Sequence, residues 1–153
     1  MNNLDQHDKA ILLELQRDSR QTYAEIGSSV GLSAASVHSR VKTLEKRGII
    51  KGFSARVDAR ALGLPVLAFV SVRTDGSTSC LLIAPTFKQF SEIEECYSVA
   101  GDTDIMLKVR TSTPEALEEL LYRVKQIPGV SRTNTVVTLS TAFEHQPLIP
   151  GEG

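Results

Sequence analysis

Tryptophan is missing from this chain of 153 residues, and aromatic residues make up only 5% of it. Its two cysteines, Cys80 and Cys96, have no CxxC spacing, which excludes a zinc ribbon and a disulfide-built scaffold. Both are expected as reduced thiols of a core or a strand in a cytoplasmic protein. Three histidines, His7, His38 and His145, lie far apart and show no metal-ligand spacing. No Ser/His/Asp set, P-loop or dinucleotide fingerprint occurs, so no cofactor, metal or catalytic group is expected. No apolar run approaches the ~20 residues that a membrane span needs, and the N-terminus is polar and soon helical, unlike a signal peptide. The net charge is only −1, which excludes a uniformly basic binder.

The small net charge hides a division. Residues 1–60 carry ten Lys/Arg against seven Asp/Glu, a net +3, whereas residues 61–153 carry seven against eleven, a net −4. A basic first unit on a mildly acidic second one places any affinity for polyanions in the first.

Residues 22–47 of that basic unit read TYAEIGSSVGLSAASVHSRVKTLEKR. Thr22 and Glu25 form a Thr-x-x-Glu capping box, which starts a helix at Tyr23 with Ile26 and Val30 inward. Gly31 suits the left-handed stop of that helix. Ser33 is an N-cap for the next helix, and Leu32 and Val37 stand at the two positions of a hydrophobic staple. Two helices around a short Gly-containing turn predict a helix-turn-helix. In the second helix Ala34, Val37, Val41 and Leu44 form the expected core stripe. Ala35, Ser36, Ser39, Lys42, Thr43 and Lys46 point away from it, with His38, Arg40 and Arg47 on the flanks. From Ser33 to Arg56 six Lys/Arg face one acid. Small residues near a helix N-terminus allow close approach to base edges, and flanking cations neutralise phosphates. The expected partner is therefore double-stranded DNA. Ser36, Ser39, Arg40 and Thr43 are placed nearest the bases, and Tyr23, Ser28, His38, Lys42, Lys46 and Arg47 nearer the phosphates. Arg40 is the foremost specificity candidate, since arginine addresses guanine bidentately.

A preceding helix from about Asp5 to Asp18, with Leu4, Ile11, Leu12 and Leu15 inward, completes a three-helix unit. After Gly48, Ile49–Phe53 reads as a small wing or exit strand, with a second β-rich piece at Ser54–Val57. The segment DARALGLP, residues 58–65, has turn residues and no periodicity, and reads as a hinge.

The second unit changes rhythm. Strands are expected at Val66–Thr74, Glu95–Ala100, Ile105–Thr111 and Val130–Phe143. One helix is expected before Glu92, with Phe87 and Phe90 inward and Pro85 in its first turn. Another opens at Thr113-Pro114, with Leu117, Leu120, Leu121 and Val124 on one face. The order βαββαβ makes the fold class α+β: a winged helix-turn-helix followed by a ferredoxin-like domain with helices on one face of an antiparallel sheet. The bare face needs a cover, for which a homodimer partner is the simplest candidate. The domains are thus 1–53, a β-linker or hinge at 54–64, the ferredoxin-like domain at 65–146, and a frayed tail at 147–153.

With the motifs RQTYAEIGSSVGLSAASVHSRVKTLEKRGIIKGFSARVDARALG and CYSVAGDTDIML in this order, residues 4 to 144 resemble the Lrp/AsnC, or feast/famine, family of transcription regulators. The resemblance implies a sequence-specific regulator of promoter DNA in the cytoplasm, associated with the nucleoid. It also implies homodimers that assemble to octamers, and an amino-acid effector bound between dimers. The corresponding effector loop is Tyr97, Ser98, Val99, Ala100, Gly101, Asp102, Thr103 and Asp104, where Thr103 stands in place of the aromatic residue often present in the family. Backbone N–H groups near Gly101 suit a carboxylate, and Asp102 or Asp104 an ammonium. Thr133, Asn134, Thr135 and Val137 of the last strand are placed on the other side. A plain hairpin turn is the alternative for this loop. Sirohaem decarboxylase subunits resemble the same architecture. They would want His, Arg and Tyr in a pocket, and the strands here offer Arg73, Lys108, Arg110 and Arg132 but no His. An amino-acid sensor that has lost DNA binding is the third possibility.

Overall fold

The computed structural model describes residues 4–151, which divide into two compact units. The first takes in the chain up to Ala55 and again from Phe143 onward; the second is Arg56–Ala142.

Three helices form the first unit: α1 (Gln6–Arg17), α2 (Tyr23–Val30) and α3 (Ala34–Lys46). Their ends follow the chemistry of the sequence. Asp5 caps α1 by accepting from the Asp8 N–H at 2.8 Å. The Thr22–Glu25 capping box is complete in both directions. Gly31 closes α2 at φ 73°, and Ser33 caps α3 through the Ser36 N–H. Ile11, Leu15, Ile26, Val37 and Val41 make the core, with Tyr23, Val30, Leu32 and Ile50 packed around it. Leu4 and Leu12 are only half-buried, and Ala34 is exposed. Ala34 is the first residue of α3, and the buried stripe begins a turn later at Val37.

Gly27 is a close-approach position absent from the motif reading. A Cβ there would lie 2.4 Å from the Leu32 carbonyl oxygen, so the chain turns into α3 directly over bare backbone. The Leu32 N–H donates to the Gly27 carbonyl at 2.9 Å across this approach.

No strand forms between α3 and residue 66 in the described chain, so the expected wing and linker strands at 49–57 are not paired. A strand needs a neighbour for its backbone N–H and C=O groups. Within this chain Ile49 and Ile50 instead donate to the Leu44 carbonyl, which leaves Phe53 and Val57 exposed.

The second unit is a four-stranded sheet of order β2-β3-β1-β4, every neighbour pair antiparallel. Its strands are β1 (Val66–Thr74), β2 (Ile93–Ser98), β3 (Ile105–Thr111) and β4 (Val130–Val137). The expected helix before β2 is broken. One turn of α4 (Cys80–Ile83) passes into a 3₁₀ helix, Ala84–Gln89, because Pro85 has no N–H to continue an α ladder. α5 (Pro114–Lys125) starts on Thr113, whose hydroxyl accepts from the Ala116 N–H. Ala68, Val70, Val72, Ile105, Leu107 and Val109 alternate onto the helix-covered face and pack with Phe87, Phe90, Leu117, Leu120 and Val124. β4 ends at Val137 rather than Phe143: β1 begins at Val66, and the last bond of this edge runs from the Thr138 N–H to Leu67. β2 ends two residues before the expected Ala100.

The expected frayed tail is held. Gln16 on α1 exchanges two hydrogen bonds with the Leu148 backbone, at 2.7 and 3.0 Å, and Lys9 Nζ donates to the Gly151 carbonyl at 2.9 Å. Residues 152 and 153 lie outside the described residues.

Candidate functional sites: an outward helix and a polar cleft

The core stripe of α3 fixes what its other side offers. With Val37, Val41 and Leu44 buried, Ser33, Ala35, Ser36, His38, Ser39, Lys42, Thr43, Lys46 and Arg47 are all exposed. Their hydroxyls are only partly committed. Ser36 Oγ lies 2.9 Å from Ser33 Oγ, and Thr43 Oγ1 donates back to the Ser39 carbonyl, whereas no bond within the described chain occupies the Ser39 hydroxyl. Lys42 pairs with Glu45 at 2.9 Å, which raises the lysine's pKa while leaving the side chain exposed. On α2, the Tyr23 ring stacks at an angle on His38 with centroids 5.4 Å apart, and Ser28 Oγ donates to the Ala24 carbonyl.

Arg40 departs from its expected place. Its Nη1 lies 2.7 Å from Asp5 Oδ2 and 2.7 Å from Asp8 Oδ1. The guanidinium is thereby turned back toward α1 rather than held outward with the base-facing row. Arg40 stands one turn after buried Val37, on the edge of the stripe, so a long side chain can point either way. Sequence position alone leaves this open, and the acidic first turn of α1 decides it.

In the second unit the β2–β3 loop folds over the end of β1. Thr103 Oγ1 and the Asp104 N–H both donate to the Val72 carbonyl, at 2.9 and 3.1 Å. Asp104 Oδ2 accepts from the Thr74 N–H at 2.7 Å and from the Thr74 hydroxyl at 3.0 Å. These bonds, the backbone one first, hold its pKa below the ordinary carboxylate value. Asp104 is therefore committed to the scaffold. The Asp102 side chain has no bond within the described chain, while its carbonyl accepts from Arg73 Nε at 3.0 Å and from Arg73 Nη2.

A cleft of about 270 Å³ opens beside this loop, lined by Ser71, Arg73, Asp102, Thr103, Arg132, Thr133 and Asn134. It gathers four of the expected effector residues: Asp102, Thr103, Thr133 and Asn134. Tyr97, Ser98, Val99, Ala100, Gly101 and Asp104 do not line it. Thr135 and Val137 pair with Val70 and Ala68 and share their helix-covered side, away from the open face. Tyr97 sits on β2 opposite Met106, with its hydroxyl on Glu95. Ser71, Arg73 and Arg132 are lining residues that the loop motif did not reveal. The signal was available as alternation: Ser71 and Arg73 on β1 face Asn134 and Arg132 on β4 in register.

The remaining open-face cations are occupied. Lys108 Nζ lies 3.3 Å from Glu94 and 3.7 Å from Glu95, and Arg110 also binds Glu94.

A capped three-helix unit with an outward polar helix, followed by an α+β sandwich of this strand order, defines a helix-turn-helix protein with a ferredoxin-like second domain. Comparison with known proteins agrees: residues 4–51 match the winged helix-turn-helix DNA-binding model, and residues 67–148 match the Lrp/AsnC ligand binding domain. The chain belongs to the Lrp/AsnC family of transcriptional regulators. It is 36% identical to the HTH-type transcriptional regulator LrpA of Mycobacterium tuberculosis over 147 residues, covering 96% of this chain and 97% of the relative. It is similar to the feast or famine regulatory protein of M. tuberculosis complexed with L-methionine, with TM-score 0.90, 36% identity, and coverage of 97% and 100% of the two chains. A transcriptional regulator of Neisseria meningitidis in complex with L-Met is also similar, with TM-score 0.89, 25% identity, and coverage of 95% and 96%.

Proposed function

We propose that this transcriptional regulator reads its promoter sites through the outward side of α3 and is tuned by a free amino acid bound in the cleft beside the β2–β3 loop. The observation that carries the DNA reading is the exposed row Ala35, Ser36, Ser39, Lys42, Thr43 and Lys46 on a helix whose opposite stripe is buried. Ser36, Ser39 and Thr43 address base edges; Lys42, Lys46 and Arg47, with Tyr23, Ser28 and His38 beside them, address phosphates. DNA binding belongs to residues 1–53 and effector binding and assembly to residues 65–146, with 54–64 between them.

The effector reading rests on the charge layout of the cleft. Arg73 and Arg132 are directly opposite on β1 and β4, an arrangement of like charges that is unfavourable until an anion joins it. A carboxylate between them and an ammonium on the unengaged Asp102 together describe a free α-amino acid. The methionine complexes of the relatives support this ligand class. The exposed Phe69 and Val136 on the open sheet face support a homodimer through that face, which then assembles to octamers. The reading is non-enzymatic and needs no cofactor. Lys108 and Arg110 are engaged by Glu94, which speaks against a pocket for a polycarboxylate tetrapyrrole. No described helix is long and apolar enough to cross a membrane.

The test is selection of duplexes from a random-sequence pool by the full chain, repeated with each of the twenty amino acids. One enriched motif whose retention changes with at least one amino acid is the expected result. Enrichment of no motif overturns the DNA reading, and a motif indifferent to all twenty overturns the effector reading.

A further inference from the structure

We propose that Arg40 is a positioning residue: clamped by Asp5 and Asp8, it sets α3 against the first turn of α1 so that the outward row of α3 meets DNA in one fixed orientation. The proposal rests on the reading of α3 as the DNA-contacting helix.

One nitrogen, Arg40 Nη1, lies 2.7 Å from a carboxylate oxygen of each aspartate. The clamp is graded in exposure: the Asp8 side chain is 12% exposed, that of Arg40 31% and that of Asp5 51%. Asp8 is thus nearly withdrawn from solvent, where an unpaired carboxylate is costly. Asp5 works on both helices at once. Its Oδ1 accepts from the Asp8 N–H and starts α1, while its Oδ2 holds Arg40. The same two contacts, the Asp8 N–H first, lower the Asp5 pKa, and the two aspartates raise that of Arg40. Arg40 springs from the middle of α3, between the buried Val37 and Val41 and the outward Ser39 and Thr43. A fixed point there defines the roll of the helix about its axis, which the apolar stripe defines less sharply because hydrophobic packing is not directional.

Positioning and base contact make opposite forecasts for the acids. If Arg40 reached DNA, Asp5 and Asp8 would compete with the duplex for it, and removing either charge would tighten binding. If Arg40 positions the helix, removing either acid weakens specific binding although a negative charge has been taken from a DNA-binding surface.

The experiment uses full-length protein, a labelled duplex selected from a random pool, and a scrambled duplex of equal length. Arg40→Met, Arg40→Lys, Asp5→Asn, Asp8→Asn and the Arg40→Met/Asp8→Asn pair are compared with Lys46→Ala, at a temperature where melting curves show all to be folded. Asp5→Asn keeps a side-chain oxygen for the cap and replaces the carboxylate oxygen that holds Arg40 with an uncharged amide NH2. The expected result is a drop of about tenfold in the preference for the selected duplex in Arg40→Met and Asp8→Asn, the size of one base pair's discrimination. The double variant falls no further than either single one, Arg40→Lys and Asp5→Asn are intermediate, and the salt slope stays at the wild-type value. Tighter binding by either aspartate variant, or a salt slope reduced by about one in Arg40→Met, would make Arg40 a DNA contact and overturn the proposal. Lowered melting temperatures with an unchanged preference would reduce the clamp to a stability role and overturn it too. Unchanged binding by Lys46→Ala would instead remove the underlying reading of α3.

Discussion

Asp104 accepts two hydrogen bonds from Thr74, its Oδ2 lying 2.7 Å from the backbone nitrogen and 3.0 Å from the hydroxyl oxygen. A residue of the β2–β3 loop is thereby committed to closing the end of β1. Asp104→Ala should lower the melting temperature. Its pKa is held below the ordinary value of 3.8, so the carboxylate stabilises the fold above that value, and the contribution disappears as pH falls through the lowered folded value. Melting curves of wild type and variant should therefore differ at pH 7 and converge toward pH 2; a constant difference across this range contradicts the assignment.

Asp102 carries the opposite forecast. Its carboxylate lines the cleft with no partner in the described chain, so Asp102→Asn should leave the melting curve unchanged. The loss of a charge-assisted hydrogen bond to an ammonium, about 1.5–3 kcal/mol, should weaken amino-acid affinity by about 10- to 100-fold. Calorimetry with the amino acid that shifts DNA retention measures this. Wild-type heat from Asp102→Asn would move the ammonium contact elsewhere.

Gly27→Ala introduces a methyl 2.4 Å from the Leu32 carbonyl oxygen, against backbone rather than a yielding side chain. The turn between α2 and α3 must open. The expected cost is about 1–3 kcal/mol, visible in urea unfolding. Ser29→Ala, on an exposed position of the same helix, should change stability by less than about 0.5 kcal/mol.

Val136 is 59% exposed on the open sheet face, opposite Phe69 at 40%. Val136→Asp in the full chain should lower the molar mass found by light scattering, with circular dichroism unchanged. An unchanged mass would mean that assembly uses another face.

Lys46→Ala removes an exposed cation with no ion pair in the described chain. Affinity for selected and scrambled duplexes should fall alike, and the slope of log K against log salt should flatten by about one.

Local chemistry made most of the first unit legible. The Thr22–Glu25 box, Gly31 and Ser33 each act over three or four residues, and all three stand where the motif put them. The element order of the second unit followed from alternation and turn residues in the same way. What escaped was decided over longer distances. Arg40 turns to Asp5 and Asp8, 35 and 32 residues away, and Asp104 turns to Thr74, 30 residues away; spacing within one element cannot report either. The lining roles of Ser71, Arg73 and Arg132 depended on which strands are neighbours, and the end of β4 on where its partner β1 begins. Strands expected at 49–57 stay unpaired in the described chain for a related reason: β-branched residues favour extended backbone, but a strand exists only where another supplies hydrogen bonds.

Because the chain leaves its first unit at Ala55 and returns to it at Phe143, that unit is built from two separate stretches of sequence. Its two stretches meet through Gln16 with Leu148 and Lys9 with Gly151. Residues 4–55 expressed without residues 143–151 would therefore be missing part of that unit's own surface.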